Sequence, residues 1–146
     1  MAYKQHLKKS KIKKSHYIVR PQKVVRIPVE QEVIVPKTKG IKSQKRISKQ
    51  EMDSRVNSVR KYLSENYGGY TSVKATGGYV LKSGKVVKEP VVEVTSFASK
   101  SDYKKHKSQT NKQLFGWGKS WKQESVGYVK EGDLYLYYPK QRVKKQ

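Results

Sequence analysis

From Lys23 onward the apolar side chains Val25, Ile27, Val29, Val33 and Val35 fall on alternate positions, with Arg26, Glu30 and Glu32 between them. A period of two belongs to a strand with one buried face, so the fold must contain a sheet that is covered on one side. Pro28 lies inside this run and has no N–H for a ladder, which predicts an edge position or a bulge. Pro36 ends the run. A lysine-rich connection, residues 37–45, leads to Ser48 and Glu51, whose spacing is that of a capping box. The helix predicted from there carries Met52, Val56, Val59 and Leu63 as one apolar stripe, and Gly68-Gly69 follows Tyr67 as its stop.

Two further strand-like runs, 70–81 and 86–97, flank Lys82-Ser83-Gly84-Lys85 and read as an antiparallel hairpin. Gly77-Gly78 and Pro90 interrupt them, as at a bulge or a close backbone approach. A second helix is predicted from a cap at Ser99 or Ser101 through Leu114 or Phe115, ending at Gly116 and Gly118. The chain then offers a strand over 124–129, a turn at 130–133, and a last strand over 134–138 that can close a hairpin. The predicted fold class is α+β: a ferredoxin-like βαββαβ plan with an antiparallel sheet and two helices on one face. Its other face is left to solvent, a partner subunit or a ligand.

Charge governs the functional expectation. The 146 residues hold 34 Lys and Arg against 11 Asp and Glu, a formal charge of +23. Fifteen of the basic and two of the acidic residues lie in the first fifty positions. Residues 1–20 carry Lys4, Lys8, Lys9, Lys11, Lys13, Lys14 and Arg20 with no acid, which predicts a disordered basic arm. Residues 21–139 form the single domain, and 140–146 form a basic tail with Lys140, Arg142, Lys144 and Lys145. The expectation is a non-enzymatic nucleic-acid-binding protein whose arm and tail neutralise the phosphates of DNA or RNA. Lys119 and Lys122 beside Trp117 and Trp121, together with Tyr135 and Tyr137 on one face of the last strand, would supply further contacts by charge and stacking. The alternative is an interaction module that binds an acidic protein, or a second copy, through its sheet face or edge strand.

Four motifs in order, Gly69-Tyr70-Thr71 with Ala75 and Gly77, then Tyr79, then Gly84-Lys85-Val86-Val87-Lys88-Glu89-Pro90, then Gln123-Glu124-Ser125-Val126, resemble a family of small domains of unknown function found mainly in bacteria. The resemblance covers residues 52–138 and implies a ferredoxin-like fold and no established activity. Tyr79 stands where that family usually has tryptophan. Many of its members look exported or lipid-anchored, whereas no window here has the apolar length of a membrane span and the N-terminus lacks the core of a secretory signal, so the expected location is cytoplasmic.

Glu89 and Glu124 are the two carboxylates that could share acid and base work, and each could equally pair with lysine. No nucleophile, metal cluster or phosphate loop accompanies them, so no catalytic residue and no cofactor is expected. The absence of cysteine excludes thiolate chemistry. His6, His16 and His106 lack the spacing of a shared metal site.

Overall fold

The computed structural model describes residues 17–41, 44–80 and 83–140. In chain order these form β1 (Val29–Pro36), β2 (Thr38–Lys39), β3 (Lys45–Arg46), α1 (Lys49–Tyr67), β4 (Thr71–Val80), β5 (Val86–Ala98), α2 (Lys100–Ser120), β6 (Val126–Lys130) and β7 (Asp133–Tyr137). Five strands make one antiparallel sheet in the order β4-β5-β1-β6-β7, and β2 pairs with β3 in a separate two-residue ladder. The class is α+β. Strand number departs from a strict βαββαβ plan, because the end of the chain folds back as the β6-β7 hairpin.

β1 sits in the middle of the sheet, between β5 and β6, and corrects the expectation of an edge strand. The ladder begins at Val29, after Pro28, so the missing N–H falls outside it. Val25 and Ile27, which belong to the alternating pattern, are 64% and 50% exposed. Periodicity marks what a segment could bury, but a strand forms only where a neighbour pairs with it.

Ser48 caps α1 as expected, accepting from the Glu51 N–H at 3.1 Å, and Gly68 ends the helix in the left-handed region at φ 95°. The predicted stripe Met52, Val56, Val59 and Leu63 is buried against Val33, Val35 and Val94 of the sheet. α2 begins at the expected cap, Ser99, but continues past both glycines to Ser120. Burial of Leu114, Trp117 and Trp121 on one face carries the helix through positions whose intrinsic cost is about 1 kcal/mol each. Gly118 is needed for contact: a Cβ there would lie 3.2 Å from both Pro139 Cγ and Val126 Cγ2. Gly118→Val should therefore destabilise the fold by about 1–3 kcal/mol through overpacking, read as a lower urea midpoint. An unchanged midpoint would show that the β6-α2 seam has slack.

Alternation divides the sheet into two faces. Val33, Val35, Val94, Ser96, Ala98, Val126 and Tyr128 face the helices and are buried. The residues paired across the opposite face are Glu30, Glu32, Ile34 and Pro36 on β1, Val87, Glu89, Val91, Glu93, Thr95 and Phe97 on β5, Thr71, Val73, Ala75, Gly77 and Tyr79 on β4, and Gly127, Val129, Leu134 and Leu136 on the final hairpin. Among the described residues this open face contains four carboxylates and no lysine or arginine. In a chain of formal charge +23 that is a strong segregation.

Candidate functional site

At one end of the open face β1 finishes while β5 and β6 begin, and four chain segments converge. The backbone N–H of Lys37 donates to the Pro90 carbonyl at 3.2 Å, which places Thr38 beside Glu89. The Thr38 hydroxyl lies 2.7 Å from Glu89 Oε2 and 3.0 Å from Gln44 Oε1, so its one proton serves two acceptors. Gly77 stands opposite Glu89 in the ladder, and a Cβ there would come within 3.3 Å of Val91 Cγ1 and 3.9 Å of Glu89 Cγ. The glycine thus keeps the space over the carboxylate open.

Tyr79 is also on this face, 37% exposed. Its hydroxyl pKa is raised first by partial burial and then by the negative charges of Glu89 and Glu124. Tyr79, Glu89 and Glu124 therefore share one electrostatic neighbourhood although they come from β4, β5 and the turn before β6. At neutral pH the tyrosine keeps its proton and acts as a donor.

A polar knot behind these groups holds them in place. Arg55 of α1, 5% exposed, donates through Nη1 to the carbonyls of Pro36 at 2.7 Å and Thr38 at 2.9 Å, and through Nη2 to that of Trp121 at 3.2 Å. Its guanidinium stacks 5.5 Å from the Trp121 ring and lies 3.7 Å from the Glu51 carboxylate. Burial lowers its pKa, opposed by Glu51 and Glu89, and it remains charged. Buried Gln123 donates to the same carbonyls, Thr38 at 2.5 Å and Trp121 at 3.1 Å. Two side chains thus fix the residue that fixes Glu89, and Gln123 brings its neighbour Glu124 to the same end of the sheet.

Further along the open face, Glu32 accepts from the Thr95 hydroxyl at 3.2 Å. Its pKa is raised first by burial and then by Glu93, with which it shares a hydrogen bond, and by Glu30. A carboxyl whose pKa is higher folded than unfolded keeps its proton longer in the folded protein. Its contribution is fully present at low pH and is lost as pH rises through that interval. Glu32→Gln should therefore raise stability at neutral pH and flatten the decline above the ordinary carboxylate range, followed by urea unfolding at several pH values. A variant less stable than wild type at pH 7 would sink this reading.

The residues expected to bind phosphate fall partly outside the described residues. Lys4, Lys8, Lys9, Lys11, Lys13 and Lys14, and Arg142, Lys144 and Lys145, lie outside the described residues. Arg20, Lys119, Lys122 and Lys140 are exposed; Lys119 and Lys140 border a shallow hollow with Phe115 and Tyr138, while Lys122 occupies a tight turn at φ 53°. Tyr135 and Tyr137 share a face as expected, but it is the helix-covered one. Tyr137 donates to Asn111 Oδ1 at 2.7 Å and packs edge-on against Phe115 and Tyr128. It is therefore an internal contact to α2. Among the described residues no helix is long and apolar enough to cross a membrane.

Neither family models nor curated protein sequences match this chain. Among solved structures, that of a phage SAM lyase in complex with S-methyl-5'-thioadenosine matches with a TM-score of 0.52 at 17% identity, covering 82% of this chain and 96% of that one. A phage SAM lyase in its apo state matches with a TM-score of 0.53 at 16% identity, covering 84% and 100%. At such identity the likeness is one of fold. It corrects the expectation of a non-enzymatic nucleic-acid-binding protein all the same, because the structures that share this architecture over nearly their whole length are those of an enzyme.

Proposed function

We propose that this protein is an enzyme that cleaves S-adenosylmethionine, releasing S-methyl-5'-thioadenosine, at the end of the open face where Glu89, Glu124 and Tyr79 meet. The observation that carries the proposal is the charge segregation. S-adenosylmethionine is a sulfonium cation, and a protein of formal charge +23 repels cations unless the site is locally acidic. Among the described residues the open face holds Glu30, Glu32, Glu89 and Glu93 and no basic residue, and Glu124 joins it at the site. The fold shared with phage SAM lyase supports the same reading.

Each site residue takes a distinct part. Glu89, held by Thr38, is a fixed negative charge for the sulfonium, and the Tyr79 ring offers a cation–π surface beside it. Glu124 is exposed and makes no ion pair among the described residues, so it is the carboxylate free to reach the amino-acid arm. The bond that breaks joins sulfur to that arm, and its electron pair stays on sulfur as a neutral thioether. The arm is balanced by loss of a proton to a carboxylate or by closure of its own carboxylate on the carbon released, and the second product distinguishes the two. The β4-β5-β1-β6 core with its two helices is read as ferredoxin-like, with β7 added at the edge. The motifs that resemble the bacterial family contribute Gly77, Tyr79, Glu89 and Glu124, which makes this site that family's shared feature in our reading.

Incubating the purified protein with S-adenosylmethionine and following the mixture by chromatography tests the proposal. S-methyl-5'-thioadenosine should accumulate in proportion to enzyme. S-adenosylhomocysteine, which lacks the sulfonium charge, should bind at least about tenfold more weakly, the equivalent of 1.4 kcal/mol. Intact substrate after prolonged incubation, together with equal affinity for the two compounds, would refute it.

A further inference from the structure

On the helix side of the sheet, α1 packs over β5 and β1 and leaves the edge strand β4 uncovered. The gap is a groove of about 630 Å³, within the size range of small-molecule sites. Its floor is apolar, from Met52 and Val56 of α1 and Pro90 and Val92 of β5. Its rim is cationic, from Lys37, Lys49, Arg60 and Lys74, with Asp53 as the one acid. Asp53 lies 3.4 Å from Lys49 and so spends its charge there. No ion pair among the described residues neutralises Lys37, Arg60 or Lys74.

Arg60 bridges the groove. It leaves α1 and donates to Ser72 Oγ on β4 at 2.7 Å and to Asn57 Oδ1 at 3.4 Å, with its guanidinium 5.4 Å from the Tyr70 ring. Its partners are all neutral, and its Nε is buried without any. A guanidinium held in place by neutral groups, over an apolar floor and between two unpaired lysines, attracts an anionic head while the floor accepts an apolar body.

We propose that this groove is a second ligand site, separate from the acidic face, for an amphipathic anion: one carboxylate, sulfonate or phosphate head on a compact apolar body. The proposal is independent of the lyase reading, because it concerns the other side of the sheet and a ligand of opposite charge.

The fluorescent sulfonate 1-anilinonaphthalene-8-sulfonate is the probe. It should brighten on titration into the full-length protein, and octanoate should displace it while octylamine and S-adenosylmethionine should not. Arg60→Gln and Lys74→Glu should each weaken its binding about tenfold, as expected for loss of a charge-assisted contact. Lys74 is exposed, so its variant tests the site even where Arg60→Gln perturbs folding, and Lys104→Glu on the exposed side of α2 should change nothing. Equal effects of Lys74→Glu and Lys104→Glu would reduce the attraction to net charge and overturn the proposal. Displacement by octylamine or S-adenosylmethionine, or no probe binding at all, would overturn it as well.

Discussion

Arg55→Met should lower the free energy of unfolding by about 3–4 kcal/mol, among the largest losses expected from one substitution in this chain. The guanidinium makes three hydrogen bonds to backbone carbonyls where α1, the end of β1 and the end of α2 meet. Hydrogen bonds to a charged donor contribute about 1.5–3 kcal/mol each, and methionine recovers part of that total through apolar packing. Arg55→Lys should lose most of the same stability, because a single ammonium cannot span three carbonyls in the plane of a guanidinium. Urea unfolding of the two variants checks both statements, and a loss below about 1 kcal/mol for methionine would mean that Gln123 alone suffices to hold the knot. Turnover should fall with stability only in part. A variant that still folds will have released Thr38 and thereby loosened Glu89, so kcat should drop even where the protein remains native.

The second large effect follows from the proposed S-adenosylmethionine cleavage. Glu124→Gln and Glu89→Gln keep the shape of each side chain and remove its charge, and each should reduce kcat/KM for S-adenosylmethionine by about 10²–10⁴-fold, the range for a positioned acid–base or electrostatic group. The two should differ in character. Glu89→Gln removes the fixed negative charge and should raise KM as well as lower kcat, whereas Glu124→Gln should act mainly on kcat. Stability should change little, since Glu124 is exposed and glutamine at position 89 can still accept from Thr38. Full activity in both variants would remove these carboxylates from the reaction and with them the proposed site.

Much of the site was legible as residue types but not as a constellation. Glu89 and Glu124 stand out in the sequence as the carboxylates able to share acid and base work, yet 35 positions separate them and no spacing rule joins strands across a sheet. Thr38 and Gln44 lie in a polar connection with no distinguishing pattern. Arg55 did leave a signal. It lies three residues after Met52 and four before Val59, on the buried stripe of α1, and a charge at such a position needs internal partners. The basic residues misled for the opposite reason. They are numerous and easily counted, while the proposed site is defined by where they are missing, and that requires knowing which strands pair.

The sequence by itself determined the local elements. Period-two runs, serine caps, the stripe of α1 and the glycine stop at Gly68 depend on neighbours a few residues away, so they survive reading along one dimension. Only the tertiary structure decided that β1 is central, that α2 runs through Gly116 and Gly118, and that Tyr137 turns toward α2. Each is settled by burial against a segment distant in sequence, which outweighs a local preference of about 1 kcal/mol. The alternating pattern of β1 guaranteed a sheet with two unlike faces. Pairing across five strands decided that the uncovered one would be acidic in a chain that is otherwise strongly basic.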